Sequence, residues 1–158
     1  VIAIRGAAAD DADAIWAILE PVIRAGETYA LDRDLTREAA LAYWLGADRE
    51  TLVAVDETGD VVGTYYLRAN QAGGGAHVAN CGFISARRGI GRLMAGDSLQ
   101  RARTRGFAAM QFNFVVASNT GAIALWQSLG FAIVGRLHDA FHHPRLGLVD
   151  ALVMHRLV

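Results

Sequence analysis

The chain has no lysine: all fifteen of its Lys-plus-Arg side chains are arginine. That absence excludes three chemistries as they are ordinarily built. A Walker-type phosphate loop needs its lysine on the phosphates. A pyridoxal-phosphate enzyme needs a Schiff-base lysine, and a protein kinase needs a strand lysine. The single cysteine, Cys81, leaves no intramolecular disulfide and no cysteine-built zinc cage. Only two prolines occur, Pro21 and Pro144, and no repeat, linker or low-complexity tract marks a boundary, so residues 1–158 are expected to form one domain. Neither charge sign is in excess. Fifteen basic against sixteen acidic side chains give a net charge of −1, without the basic surplus that non-specific nucleic-acid binding uses. No apolar run reaches the ~18 residues of a membrane-spanning helix, and no basic segment precedes a long apolar one at the start. The expectation is a cytoplasmic protein with neither nucleic acid nor membrane as partner.

What is present is a core. Apolar residues make up 53% of 158, and a domain of this length buries roughly 70% of the surface its unfolded chain exposes. General disorder, which needs low hydrophobicity and high net charge, is excluded.

Ile2 to Arg5 alternates as a short strand. Asp10 to Arg24 reads as a helix with Ile15, Ile18, Leu19, Val22 and Ile23 on one face. Asp10, Asp11 and Asp13 suit its N-terminus, and Pro21 should bend or shorten its last turn. Gly26 to Leu35 is irregular. Thr36 caps a second helix running to Leu45. Thr51 to Val55 and Val61 to Leu67 are β-rich and joined by a hairpin turn. After Gly73-Gly74-Gly75 comes a strand from His77 to about Ser85, then a helix from Gly89 to Arg105 closed by Gly106. Ala108 to Val116 is a strand and Thr120 to Leu129 a short helix. Phe131 to Leu137 and Ala151 to Val158 are the last strands. Three strands in succession mixed with strand–helix–strand units imply an α+β fold, a mixed sheet with helices on both faces.

Arg87-Arg88-Gly89-Ile90-Gly91-Arg92 falls between a strand and a helix. Glycine lets backbone approach a ligand closely, the first N–H groups of a helix are unpaired, and guanidinium suits phosphate oxygens. The segment reads as a diphosphate cradle or, more plainly, as a tight turn with solvated arginines. It is no dinucleotide fingerprint. The third glycine would fall at Met94, and no acid lies between 105 and 116 to hold a ribose.

With these residues in view, the chain resembles the GCN5-related N-acetyltransferase (GNAT) superfamily. One family signature, Arg/Gln-x-x-Gly-x-Gly/Ala, aligns with Ala86 to Gly91. A second, Asn-x-x-Ala-x-x-Leu-Tyr-x-x-x-Gly-Phe, aligns with Asn119 to Phe131 at every spacing. Gly26-Glu27-Thr28-Tyr29-Ala30 is similar to the phosphinothricin and amino-acid acetyltransferase branch. The resemblance implies a mostly antiparallel central sheet, acetyl-CoA as co-substrate without a metal, and a possible homodimer. It implies direct transfer of the acetyl group to the amine of a small molecule or amino acid in a ternary complex. It also implies cofactor contacts from Phe83, Ile84 and Ser85, from Arg87 to Arg92 including Arg88, Gly89, Ile90 and Gly91, and from Asn119, Ala122 and Trp126. An N–H near Phe83 to Ser85 would polarise the thioester carbonyl.

Two departures stand out. Ala86 replaces Arg or Gln and Arg87 a common glycine, so one phosphate contact is lost or passes to a neighbouring arginine. Trp126 stands where the family often has a tyrosine thought to protonate the leaving thiolate, and an indole N–H does not transfer protons. A thiol of the free-cysteine type has a pKa of ~8.5, which makes thiolate a tolerable leaving group unaided. An acyl-CoA-binding sensor without catalysis is the alternative to an enzyme.

The amine must lose a proton, and His77 and Glu27 are the candidate bases, with water as a relay. His77 is otherwise a hairpin-edge histidine and Glu27 a solvated loop carboxylate. Asn80 and Asn113, inside apolar strands, need hydrogen-bond partners from ligand or protein, and Asn80 is placed with the catalytic candidates. Asn119 can be a helix N-cap as well as a ligand contact. Tyr29 and Asn113 are substrate-binding candidates, and Tyr29, Trp44 and Phe141 can line an acceptor pocket or fill the core. Cys81 has no neighbour that would activate it. His138, His142 and His143 are expected in a late loop with Asp139, where no second acid completes a metal site.

Overall fold

Ile15, Ile18, Leu19 and Ile23 recur at helical spacing because one stripe of the helix is buried. The computed structural model, which describes residues 1–158, places them on the inner face of α1 (Ala12–Ala25). A 3-10 turn over Ala9–Asp11 leads into it. Pro21 does not shorten the helix, which continues to Ala25 and ends at Gly26 with φ of 65°. The second helix, α2 (Arg37–Trp44), is capped by Thr36, whose hydroxyl accepts from Ala39 N–H at 3.1 Å.

Seven strands form one sheet: β1 (Ala3–Gly6), β2 (Glu50–Val55), β3 (Val61–Ala69), β4 (Val78–Ser85), β5 (Ala109–Val116), β6 (Ala132–His143) and β7 (Gly147–Leu157). Their order is β1-β2-β3-β4-β5-β7-β6. Every neighbouring pair is antiparallel except β4 and β5. Alternation sorts the two faces. Val53, Tyr66 and Ile84 pack against α1 and α2. Leu52, Ala54, Tyr65, Leu67 and Cys81 face α3 (Ile90–Thr104) and α4 (Thr120–Ser128). Close approach fixes Gly63, where a Cβ would lie 2.8 Å from Ile90 Cγ2.

The one parallel pair decides where a ligand can enter. β4 and β5 are in register only at Val78↔Ala109 and Ala79↔Met110, then diverge. Trp126 fills the gap from α4, with ring centroids 5.1 Å from Phe83 and 4.6 Å from Phe112. A sheet cannot close over that wedge.

The last hairpin corrects the sequence reading. β6 runs on to His143 and β7 starts at Gly147, so His138, His142 and His143 lie on a strand rather than in a loop. The polar run His138-Asp139 hid the strand's continuation. A register shift between Leu137 and Phe141, with Asp139 at φ 48°, absorbs it as a bulge.

Candidate active site

Hydrogen-bond parity along β4 sets the site. Asn70 N–H donates to Val78 O at 2.8 Å and Ala86 N–H to Val62 O at 2.9 Å. Even-numbered residues of β4 therefore spend their backbone groups on β3, while Phe83 and Ser85 turn theirs toward the fork where β5 has gone. A cleft of about 400 Å³ opens there, lined by β4, β5, the start of α4 and the loop after α1. Its size suits a small-molecule site.

At one end β4 runs into the turn at 86–89. Gly89 takes φ of 85° as the N-cap of α3, a conformation only glycine adopts cheaply. Among the first N–H groups of α3, those of Gly91 and Arg92 have no backbone acceptor. A Cβ on Gly91 would meet only Leu125 Cδ2 at 3.8 Å and Ser85 Oγ at 3.9 Å, so nothing in the protein demands glycine there. This geometry fits an anionic diphosphate. Arg88 is exposed beside it, while Arg92 donates to Ser128 Oγ at 2.8 Å.

Arg87 points elsewhere. Its Nη2 pairs with Asp56 Oδ2 at 2.8 Å. The Asp56 carboxyl is lowered to about 2, first by the Thr58 hydroxyl, then by N–H groups of the hairpin turn and by Arg87, against the opposing effect of desolvation. Ile90 is also drawn in, its side chain buried against β3, and Ile84 gives its backbone to β3. Of the cofactor candidates, Phe83, Ile84, Ser85, Asn119, Ala122 and Trp126 line the cleft, Ile84 through its side chain. Asn119 also caps α4, accepting from Ala122 N–H at 3.4 Å.

The other end of the cleft holds Tyr29, Tyr43, Tyr66, Arg68 and Asn113. Tyr66 stands over Gly82, where a Cβ would come within 2.5 Å of the ring. Tyr43 and Tyr66 share a hydrogen bond at 3.2 Å. The Arg49 guanidinium lies over both rings at 4.8 and 4.6 Å. Asn113 Nδ2 donates to Asn70 Oδ1 at 2.6 Å. Tyr43, Tyr66 and Arg68 escaped the sequence reading, although Tyr66 and Arg68 share one parity of a β-rich run.

Neither candidate base lines this cleft. His77 precedes β4 at its paired end, exposed, its carbonyl accepting from Ala108 N–H. Glu27 turns away to the β6–β7 turn, 3.4 Å from Arg145 Nη2 and 3.7 Å from His143 Nε2. His143 Nδ1 accepts from the N–H groups of Arg145 and Leu146, and its Nε2 lies beyond hydrogen-bond distance of Glu27. Asn80 lines the cleft with both ends of its amide engaged: Nδ2 donates to Gln111 O at 2.9 Å and Oδ1 accepts from Arg68 Nε at 3.4 Å. Trp44 and Phe141 are core residues, and the Trp44 indole donates to Thr64. Burial pushes the Cys81 thiol well above its usual range, so it stays protonated. The structure does bring a second acid, Asp150, to His138 and Asp139, but its carboxylate is held by Arg136 at 2.8 Å and by Asp139 N–H at 3.0 Å.

A sheet forked after its parallel pair, with a glycine turn at the mouth of the fork, defines an acyltransferase-type fold. Residues 14–131 match the acetyltransferase (GNAT) family, and the chain belongs to it. It is an N-acetyltransferase. It is 31% identical over 151 residues to N-acetyltransferase aca1 of Schizosaccharomyces pombe, covering 83% of this chain and 72% of that one. The structure of a GCN5-related N-acetyltransferase from Kribbella flavida superposes with a TM-score of 0.94 at 43% identity, covering 99% of this chain and 98% of the other. A phosphinothricin acetyltransferase from Sinorhizobium meliloti, in complex with AcCoA, shares the fold at 23% identity and a TM-score of 0.84, over 99% of this chain and 88% of the other. No helix is long and apolar enough to cross a membrane.

Proposed function

We propose that the fork binds acetyl-CoA, diphosphate at the Gly89–Gly91 turn and thioester beside Phe83, and that the acetyl group passes directly to the amine of a small carboxylate-bearing molecule such as an amino acid. The AcCoA complex of the Sinorhizobium meliloti relative supports the co-substrate. One observation carries the acceptor class. Arg68 is the only charged side chain lining the cleft, which holds no Asp, Glu or His. A polycationic acceptor would find no counter-charge there, whereas a carboxylate would find a guanidinium.

The same emptiness bears on the proton. An ammonium entering an apolar cleft without a counter-ion is driven toward the neutral amine by desolvation. The shed proton can leave through water, so no side chain need act as base. The neutral nitrogen then attacks the acyl carbon, the C–N bond forms and the C–S bond breaks. The nitrogen's surplus proton passes through water to the thiolate, giving amide and free thiol. Transfer in the ternary complex needs no covalent enzyme intermediate, which agrees with an inert Cys81.

Free-thiol release from acetyl-CoA, measured with amino acids and with the same amines lacking the carboxylate, tests the reading. The carboxylate-bearing member of each pair should have the higher kcat/KM, and Arg68→Met should erase the difference. Equal rates for both members would reject the acceptor class. CoA binding without turnover on any amine would return the protein to a sensor.

A further inference from the structure

Tyr29 Oη makes two hydrogen bonds to one residue. It accepts from Phe83 N–H at 2.8 Å and donates to Phe83 O at 3.0 Å. Phe83 is the middle residue of the edge β4 turns to the fork, flanked by the Trp126 ring. The hydroxyl stands where an acyl oxygen would have to stand to accept from that N–H.

We propose that Tyr29 is a second donor to the acyl oxygen, so that the Tyr29 O–H and the Phe83 N–H together form a two-donor oxyanion site. The inference rests on the acetyl-CoA reading above. An acyl oxygen arriving at Phe83 N–H takes over only the acceptor half of what Tyr29 does. The hydroxyl gives up that position to the incoming oxygen and moves aside by about one hydrogen bond's length, from where its O–H can donate to it. It can exchange the Phe83 carbonyl for an oxygen that gains negative charge as the amine attacks, which is the stronger acceptor.

The surroundings keep the displaced hydroxyl close to Phe83. The ring packs edge-on against Trp44 with centroids 6.0 Å apart. The loop carrying it is braced across its base, where Arg33 Nε donates to Arg24 O at 2.8 Å, and is tied to the β6–β7 turn through Glu27 and Arg145. Burial, with the neighbouring Tyr66 adding to it, pushes the Tyr29 phenol well above its ordinary value, so it serves as a neutral donor and not as an acid. This role is distinct from the thiolate acid absent at Trp126. Tyr29 shapes charge on oxygen and leaves the sulfur to depart as thiolate.

Isotope-edited infrared spectroscopy of acetyl-CoA labelled with 13C at the acetyl carbonyl reads this directly, without any acceptor. Bound to the parent protein, the carbonyl should stretch at lower wavenumber than when bound to Tyr29→Phe, which keeps the ring on Trp44. Replacing Tyr29 by 3-fluorotyrosine keeps the shape and strengthens the donor, and should lower the stretch further. That arm serves also if the Phe variant fails to fold. Single-turnover transfer by Tyr29→Phe should fall ~10²–10³-fold, the usual cost of one oxyanion donor. An identical bound carbonyl frequency across these proteins overturns the proposal. So does tighter acetyl-CoA binding by Tyr29→Phe at unchanged frequency, which would make Tyr29 a mere plug. Failure of the parent protein to bind acetyl-CoA at all would remove the underlying reading, and this inference with it.

Discussion

The Asn80 side chain donates to the carbonyl of Gln111 across the point where β4 and β5 part, one residue beyond their last register pair. A side-chain amide thus continues a ladder that the backbone abandons. It satisfies a carbonyl that the divergence would leave without a strand partner, and it fixes where the fork begins. Asn80→Ala should destabilise the protein by ~1–3 kcal/mol, the cost of leaving a buried polar group unpaired. Urea unfolding followed by fluorescence checks this, and an unchanged midpoint would show that the fork holds without its clasp.

Gly82 and Tyr66 make a second pair. Because a Cβ at 82 would reach within 2.5 Å of the ring, Gly82→Ala must push Tyr66 from its place over β4, disturbing Tyr43 and Arg49 with it. The acceptor end should suffer and the diphosphate end should not. The expected result is a raised KM for the acceptor with CoA affinity preserved by calorimetry.

Much of this was legible in the sequence, for reasons that differ by element. Ile15 to Ile23 announced α1 through periodicity, and Gly89 to Gly91 announced a strand-to-helix turn through conformational need. The Asn119-to-Phe131 spacing announced α4 and Trp126. Strand continuation past Leu137 was hidden, because His138 and Asp139 are polar and β6 is the sheet's edge, where polar residues are solvated. Arg87 could not be assigned from sequence either. Its partner Asp56 lies 31 positions away, on a turn brought near only by β2–β3 pairing. Glu27 misled for the same reason, since Arg145 and His143 reach it through the β6–β7 hairpin.

Glu27→Gln keeps the shape of the loop anchor and removes its charge. Because Glu27 faces Arg145 and not the cleft, the variant should raise the acceptor KM modestly and leave the pH profile of kcat/KM where it was. That profile should follow the ionisation of the acceptor's own amine, and should move when an acceptor of different amine pKa is used. His77→Ala should change neither parameter. A profile limb that vanishes in Glu27→Gln or His77→Ala would restore that residue as the base.

Asp56 predicts acid behaviour. Its folded-state pKa is depressed, from 3.8 to about 2, so its contribution to stability is complete above the unfolded value and is lost as pH falls through that window. Asp56→Asn removes the titration. Stability of the parent should drop more steeply than that of the variant between 3.8 and about 2, as read by thermal unfolding against pH. Parallel curves would contradict the assignment of Arg87 and Thr58 as the groups that hold this carboxylate.

The central claim is that the glycine turn at the mouth of the fork holds the diphosphate of CoA, and calorimetry of CoA binding to two variants of one residue tests it most directly. The space around Gly91 admits a Cβ, so Gly91→Ala and Gly91→Glu should both fold. The glutamate, however, sets bulk and negative charge against the unpaired N–H groups of Gly91 and Arg92. The prediction is a modest loss of CoA affinity for Gly91→Ala and its abolition for Gly91→Glu in a protein that still unfolds cooperatively. Unchanged CoA affinity in a folded Gly91→Glu protein would contradict the account.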